Sequence, residues 1–529
     1  MEQDPTGARS PEPGARSRWP SEALWGTLNP EKLILAVCRN LTSVTRLLET
    51  QDLFRGDFRL RWVFTLEGDS HFQDGARRLL AEAGVHPVSK PADVPYDLVL
   101  AASENVDFAA LRTRALVLPH GIGFNKLLPT ADGIGIRVAG LPPEDVLQSG
   151  QAIMALAHPD QRRLLPAGSE SVVIGDVTMD RLRASRQLRE HYRRLLNTGD
   201  RRLVLVASTW GQHSALGRWR TLPRELHHAL PQDEFQVLCV LHPNVWARYG
   251  RRQLEVWFDQ VRLLPQHNGW QSAMVAADTV ITDHGSLSLY AAGLGLPMLL
   301  TETAGETVAD SPISRLGAPQ IRQGPPLAGQ LDRAAVVPVP PGVFAHPGEA
   351  ADRLRSAVYG LLGLTAPSHP GPLPRALDPV ICDAPAASHY TTLTDGVLRR
   401  FPATSRTRRP EPLVVSERET DLRLLEEADA LVCEAVLAPE EAVEQLRAMR
   451  HRWPDRLLLA AATAEGLVIA DQEGSIGNVR GTADAQILAA VSVHIGVIDG
   501  VRTVEVGGRK LEVQFSRNPS STARLEPRD

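Results

Sequence analysis

The chain has little cysteine, little lysine and no long hydrophobic run. Its four cysteines (Cys38, Cys239, Cys382 and Cys433) are far apart in 529 residues, and none stands in a CxxC pair. That excludes a dense disulfide scaffold and a zinc ribbon. No Cys/His spacing of metal-ligand type takes their place, so no metal is expected. The cysteines fall mostly in apolar runs, and reduced, buried thiols are expected. No stretch of 18 apolar residues occurs, and the N-terminus lacks an apolar signal core. Neither a membrane-spanning helix nor a secretory leader is therefore expected. A cytoplasmic location follows as the expectation, and peripheral association with the inner face of a membrane stays open. Lysine occurs only at Lys32, Lys90, Lys126 and Lys510, and the net charge is −5. Such a chain has no global basic field, so nucleic acid is not expected as a partner. The doublets Arg162-Arg163, Arg201-Arg202 and Arg251-Arg252 read as solvated helix ends or strand starts.

What is present is ordinary for a folded protein: 43% hydrophobic and 22% charged residues, at a length that suggests about three domains. Residues 1–28, rich in Pro, Gly, Ser and Arg, read as a disordered leader. Strand and helix signals then alternate. Strands are expected at 33–38, 61–66, 96–101, 115–118, 151–157 and 171–174, with helices at 41–53 and 73–83. A second cycle opens with a long helix at 182–196. It continues with strands at 203–207, 235–241, 279–282 and 298–301 and helices at 223–230 and 245–260. Such alternation argues for parallel sheets covered by helices. The fold class expected is α/β, a GT-B-like pair of Rossmann-type domains facing a cleft. The first spans 29–180 (acceptor) and the second 181–363 (donor nucleotide). Residues 318–347 hold seven prolines and read as a crossing segment, whereas 349–362 is an amphipathic helix that packs back on the core. A proline-rich linker, 364–379, and a basic patch at 406–412 set off a C-terminal region. Residues 380–529 read as a small α+β module with hairpin-like segments near 491–498 and 503–515, and no motif there carries recognisable chemistry.

The most informative stretch is 277–300. An apolar strand closes at Val280-Ile281, the turn Asp283-His284-Gly285-Ser286 follows, and a small-residue helix runs through 287–294. Gly295 stops that helix and Pro297 blocks its continuation. A strand leading through a polar turn into a helix N-terminus leaves unpaired N–H groups and a positive dipole end, which suits an anion. An ordinary βα connection favours the same residues.

Other strand ends carry related clusters. Pro119-His120-Gly121 places a histidine after an apolar strand, with Lys126 a few residues on; a histidine there can act as a general base. Val237 to Leu241 lead into His242-Pro243, and that imidazole is positioned to offset phosphate charge or simply to cap the strand. Gly175 to Asp180 bridge the two cycles. Ser208-Thr209-Trp210 follow the first strand of the second cycle, and their hydroxyls could donate to phosphate.

In their order, these elements resemble the CDP-glycerol glycerophosphotransferase family, the teichoic-acid primases and polymerases of the GT-B superfamily. The resemblance spans about residues 30–362. It rests on a strand-end HisGly with a following Lys, a Gly-x-x-x-x-Asp junction, a SerThrTrp-like turn, a strand ending in HisPro and a ThrAsp-x-x-Ser turn before a helix. More distantly the chain is similar to non-hydrolysing UDP-N-acetylglucosamine 2-epimerases.

The resemblance implies an enzyme that moves a glycerophosphate or glycosyl group from a nucleotide-activated donor to an acceptor hydroxyl. It implies that His120 is the base activating the acceptor and that His242 contacts the donor pyrophosphate. Asp283, His284, Gly285 and Ser286, together with Ser208 and Thr209, would hold the donor. Gly121, Lys126 and Asp180 would line the acceptor side or the cleft. No cofactor is implied, and the acceptor and oligomeric state are not specified. The chain departs from the family at Pro119, at Ile122-Gly123 and at His284-Gly285, so the resemblance leaves the substrate open. A UDP-sugar transferase or epimerase and a catalytically silent nucleotide-binding scaffold are the competing expectations.

Overall fold

Residues 33–38 are apolar without alternation. In the computed structural model they lie within β1 (Lys32–Cys38), buried on both faces as a central parallel strand must be. The structure describes residues 27–68, 73–89, 95–119, 121–130, 135–265, 269–302, 305–380, 386–404 and 408–518. The leader up to residue 26, His120, Cys382 and Arg406 lie outside the described residues. The chain divides into two compact units. One comprises residues up to Phe124, Thr130–Asp180 and Phe344–Pro374; the other comprises Asn125–Pro129, Arg181–Val343 and the chain from Arg375 onward.

In the first unit β1 is joined by β2 (Leu60–Leu66), β3 (Leu98–Ala101) and β4 (Ala115–Val117). Two short strands, β5 (Leu127–Pro129, grouped with the second unit) and β6 (Ile136–Val138), come next in the chain. β7 (Ala152–Leu156) and β8 (Ser171–Val173) complete the first sheet. Its order is β2-β1-β3-β4-β7-β8, and every pairing is parallel. Asn40 starts the helix Leu41–Gln51 by accepting the Ser43 N–H at 2.9 Å. The helix Ala350–Leu362 sends Ala351, Leu354, Val358 and Tyr359 into the same apolar cluster as Ile34, Leu47 and Phe64. Its apolar stripe places it with the first sheet, whereas the sequence division at 363 grouped it with the second cycle.

The second unit contains β9 (Arg202–Ser208), β10 (Phe235–Leu241), β11 (Arg262–Leu263), β12 (Thr279–Thr282) and β13 (Met298–Leu300). They form a parallel sheet in the order β11-β10-β9-β12-β13. The single helix expected over 182–196 is broken into Val177–Ala184 and Arg189–Leu195. Between them stands a 3₁₀ turn, Arg186–Leu188, and the buried Ser185 hydroxyl before it donates to the Arg181 carbonyl (2.7 Å) and accepts the Ala376 N–H (2.8 Å).

The C-terminal region departs most from expectation. Instead of a small module it forms a closed barrel of nine strands: β14 (His389–Thr394), β15 (Val397–Pro402), β16 (Leu413–Ser416), β17 (Ala430–Leu437), β18 (Leu458–Thr463), β19 (Gly466–Asp471), β20 (Ile476–Arg480), β21 (Gly500–Val506) and β22 (Arg509–Arg517). The order around it is β14-β15-β21-β22-β20-β19-β18-β17-β16. The hairpin expected near 503–515 is β21–β22. Where a second hairpin was expected near 491–498, the helix Ala485–Ile495 packs against β14 to β20. Its residues Leu488 to Val491 join the core with Val432, Leu458 and Val513.

His389 in β14 is fully buried, and neither of its ring nitrogens has a partner. Burial, with Arg400 nearby, holds its pKa well below the ordinary imidazole value. A depressed folded-state pKa gives stability that is complete above the unfolded value, about 6.5, and lost as pH falls below it. Unfolding free energy is therefore expected to drop below pH 6.5, each such histidine contributing a slope of about 1.4 kcal/mol per pH unit. Urea titrations at several pH values check this. His389→Leu should flatten the profile, and an unchanged profile would refute the assignment.

Candidate functional site

β9 and β12 are neighbours, with Ala207 beside Thr282. The chain leaves β9 toward β10 and β11 on one side and returns to β12 and β13 on the other. The strand order reverses there, so the carboxyl edge between β9 and β12 is the switch-point crevice at which ligands bind in open α/β sheets.

Asp283 closes the floor of that crevice. It is 0% exposed, and its carboxylate accepts from Thr209 N–H (2.9 Å), Ala215 N–H (2.8 Å) and Gly285 N–H (3.0 Å), with the Ser208 hydroxyl at 3.4 Å. A buried carboxylate survives only when its lone pairs are engaged in this way. One side chain thus ties the loop after β9 to the turn after β12. Ser208 is similarly committed, since its oxygen accepts the Leu216 N–H at 3.2 Å and its hydroxyl lies 3.0 Å from the Thr209 carbonyl. The two residues read from the sequence as donor contacts are the framework of the site. The packing at Gly285 is close, since a Cβ there would stand 3.2 Å from both Asp283 Oδ1 and Thr209 Cβ.

The next residue, His284, is 3% exposed, and its Nε2 lies 3.2 Å from Glu306 Oε2. Burial is the largest influence on its pKa and lowers it; Lys126 acts in the same sense while Asp283 and Glu306 oppose. Because a carboxylate only accepts, the neutral ring carries its proton on Nε2, leaving Nδ1 a buried acceptor without a partner. Glu306 also binds the Lys126 ammonium at 3.0 Å. That ammonium donates to the Trp210 carbonyl at 3.1 Å and sits 4.8 Å from the centre of the Trp210 ring. The Trp210 ring in turn lies 6.2 Å from His242.

His242 does cap a helix: its Nδ1 accepts the Asn244 N–H (3.1 Å) at the start of Pro243–Trp257. The same bond leaves Nε2 to carry the ring proton, so the imidazole is a hydrogen-bond donor. Ser286 is the first residue of the helix Ser286–Leu294, whose first turn contains no carboxylate.

The second unit thus gathers Ser208, Thr209, His242, Asp283, His284, Gly285 and Ser286 with Lys126. Trp210 and Glu306 belong to the cluster and were not singled out as site residues from sequence. Trp210 stood in a quoted motif, but Glu306 lies in an aperiodic loop and gave no signal. Gly121 and Asp180 belong to the first unit. Asp180 accepts the Gly348 N–H (2.7 Å) and the Ala350 N–H (3.0 Å), so its carboxylate caps the start of the helix Ala350–Leu362. Cys38, Cys239 and Cys433 are buried free thiols, and burial pushes Cys433 up to about 11. Among the described residues no helix is long and apolar enough to cross a membrane.

No protein-family model and no curated protein matches the sequence. Among solved structures, the chain is similar to the wall teichoic acid polymerase TagF, with 12% identity, 63% of this chain and 84% of that one covered and a TM-score of 0.40. It is also similar to the UDP-GlcNAc 2-epimerase from Neisseria meningitidis bound to UDP-GlcNAc (11% identity, 62% and 100% covered, TM-score 0.39). A third is MnaA with UDP from S. aureus (10% identity, 63% and 98% covered, TM-score 0.40). At such values the likeness assigns this chain neither substrate nor activity.

Proposed function

We propose that the chain is a transferase acting on a nucleotide-activated, CDP-glycerol-like donor, whose phosphates occupy the crevice between β9 and β12. The observation that supports this reading is the grouping of the Lys126 ammonium, the His242 imidazole and the helix Ser286–Leu294, whose first turn carries no acidic residue, around one switch-point crevice.

His242 Nε2–H and Lys126 would donate to the diphosphate, offsetting leaving-group charge as the donor bond breaks. Lys126 enters that role already paired with Glu306. A diphosphate, with more charge than one carboxylate, would compete for it. Asp283 acts as a positioning residue, holding the two loops at the spacing the phosphates need. His120 is the base that the family resemblance assigns to the acceptor hydroxyl.

Thermal shift with CDP-glycerol, UDP-N-acetylglucosamine and GDP-sugars tests the donor. A ligand at a hundredfold excess over its Kd stabilises by about 2.7 kcal/mol. Stabilisation by CDP-glycerol is expected. Stabilisation by UDP-sugars alone would overturn the glycerophosphate reading in favour of sugar chemistry. Binding without turnover in any donor and acceptor pair would make the chain a silent scaffold.

A further inference from the structure

Two hydrogen-bond donors of the crevice meet on one atom. The Lys126 ammonium and His284 Nε2 lie 3.0 and 3.2 Å from Glu306 Oε2, although one precedes β5 and the other follows β12. The side chains of Lys126, His284 and Glu306 are 17%, 1% and 23% exposed, so the carboxylate is the most open of the three. Beside them Gly211, at φ +99°, presents bare backbone. A Cβ there would stand 3.8 Å from Lys126 Nζ and 4.0 Å from Glu306 Oε1, in space that a glycine leaves open to an approaching ligand.

The backbone around Glu306 is pinned. The Leu127 N–H donates to the Glu306 carbonyl at 2.7 Å and the Val308 N–H to the Asn125 carbonyl at 3.0 Å, with Lys126 facing Thr307 in an antiparallel bridge. Rotation about the Glu306 side-chain bonds is the freedom that remains. Its carboxylate is therefore a tethered anion, able to swing on and off two fixed donors.

A cationic N–H and an imidazole N–H converging on a partly exposed oxyanion are what a phosphate oxygen requires as well. We propose that Glu306 is a resident phosphate mimic: its carboxylate stands where one phosphate of the donor binds, and the donor enters by displacing it. The identity of the ligand rests on the donor reading, whereas the anion position rests on Lys126 and His284 alone. Glu306 thereby sets the affinity of the crevice. A ligand whose site is open in only a fraction of molecules has its Kd raised by the inverse of that fraction. With the carboxylate seated in about nine-tenths of molecules, removing it tightens binding about tenfold.

The test is calorimetric titration of inorganic pyrophosphate and of CDP-glycerol into the full chain and into Glu306→Gln and Glu306→Ala. Both variants are expected to bind both ligands about tenfold more tightly, with Tm unchanged or slightly lower. A gain of binding without a gain of stability is a result that a merely structural role for Glu306 would not give, and the second variant keeps the test open if the first fails to fold. Adding Lys126→Met to Glu306→Gln should abolish the gain. Pyrophosphate that binds both single variants no more tightly than wild type would overturn the proposal, because Glu306 would then position Lys126 rather than compete for it. A gain that survives Lys126→Met, or pyrophosphate binding in none of the proteins, would overturn it too. Pyrophosphate tightened by both variants while CDP-glycerol binds none of them would sink the donor reading and leave this proposal standing. CDP-glycerol bound equally by wild type and both variants would do the reverse.

Discussion

Asp283→Ala is expected to destabilise the second unit by about 4 kcal/mol, because it orphans buried backbone donors at Thr209, Ala215 and Gly285 in one step. Charge-assisted bonds of this kind are each worth roughly 1.5–3 kcal/mol, and they do not add in full because the loops relax together. Asp283→Asn discriminates further. Its one carbonyl oxygen can take the Oδ2 position, which serves Thr209, Ala215 and Ser208, but its NH2 then opposes the Gly285 N–H. The asparagine variant should therefore fall between wild type and alanine, at about 2 kcal/mol. Urea unfolding gives the totals, and amide hydrogen exchange at Thr209, Ala215 and Gly285 locates them. Losses under about 1 kcal/mol in both variants would show that the carboxylate does not hold the loops together.

The second large effect is expected at Gly217, in the short helix Ala215–Arg218. A Cβ there would stand 2.3 Å from the Gly211 carbonyl oxygen and 2.6 Å from that of Gln212. Those atoms are backbone and cannot swing aside. Gly211 is already held by the Ser214 hydroxyl at 2.8 Å, and the Gly217 N–H donates back to Ser214 Oγ at 3.0 Å. Gly217→Ala must displace the whole loop that Asp283 anchors. Overpacking of this kind costs about 3 kcal/mol, and donor binding should fall with it. Gly329→Ala, in the helix Leu327–Leu331 with nothing within 4 Å of its Cβ, is the matched control. It should be neutral or stabilising by up to about 1 kcal/mol. Equal effects in the two variants would refute the steric argument.

The α/β character was legible because parallel strands buried on both faces read as unbroken apolar runs; β10 and β12 were located to the residue. The barrel was not legible for the converse reason. It closes through pairings distant in sequence, such as β14 with β16 and β15 with β21, which no local pattern encodes. The helix Ala485–Ile495 was misread because it is apolar on nearly every side, and without a polar face its Val-rich end looked like a strand. At the site, sequence located the strand ends correctly but could not separate two uses of a carboxylate. Asp283 follows β12 and Asp180 lies in the first turn of the helix Val177–Ala184, and both are occupied by backbone N–H groups. Only the three-dimensional partners reveal that commitment.

The most direct test of the donor crevice is calorimetric titration of CDP-glycerol into the full chain and into His242→Asn. Asparagine is itself a strong N-cap, so the helix Pro243–Trp257 keeps its start while the imidazole is lost. The expected result is donor binding to wild type that weakens about tenfold or more in the variant, with Tm unchanged; tenfold corresponds to about 1.4 kcal/mol. CDP-glycerol that fails to bind wild type, or that binds both proteins equally, would contradict the assignment of the crevice between β9 and β12 as the donor site.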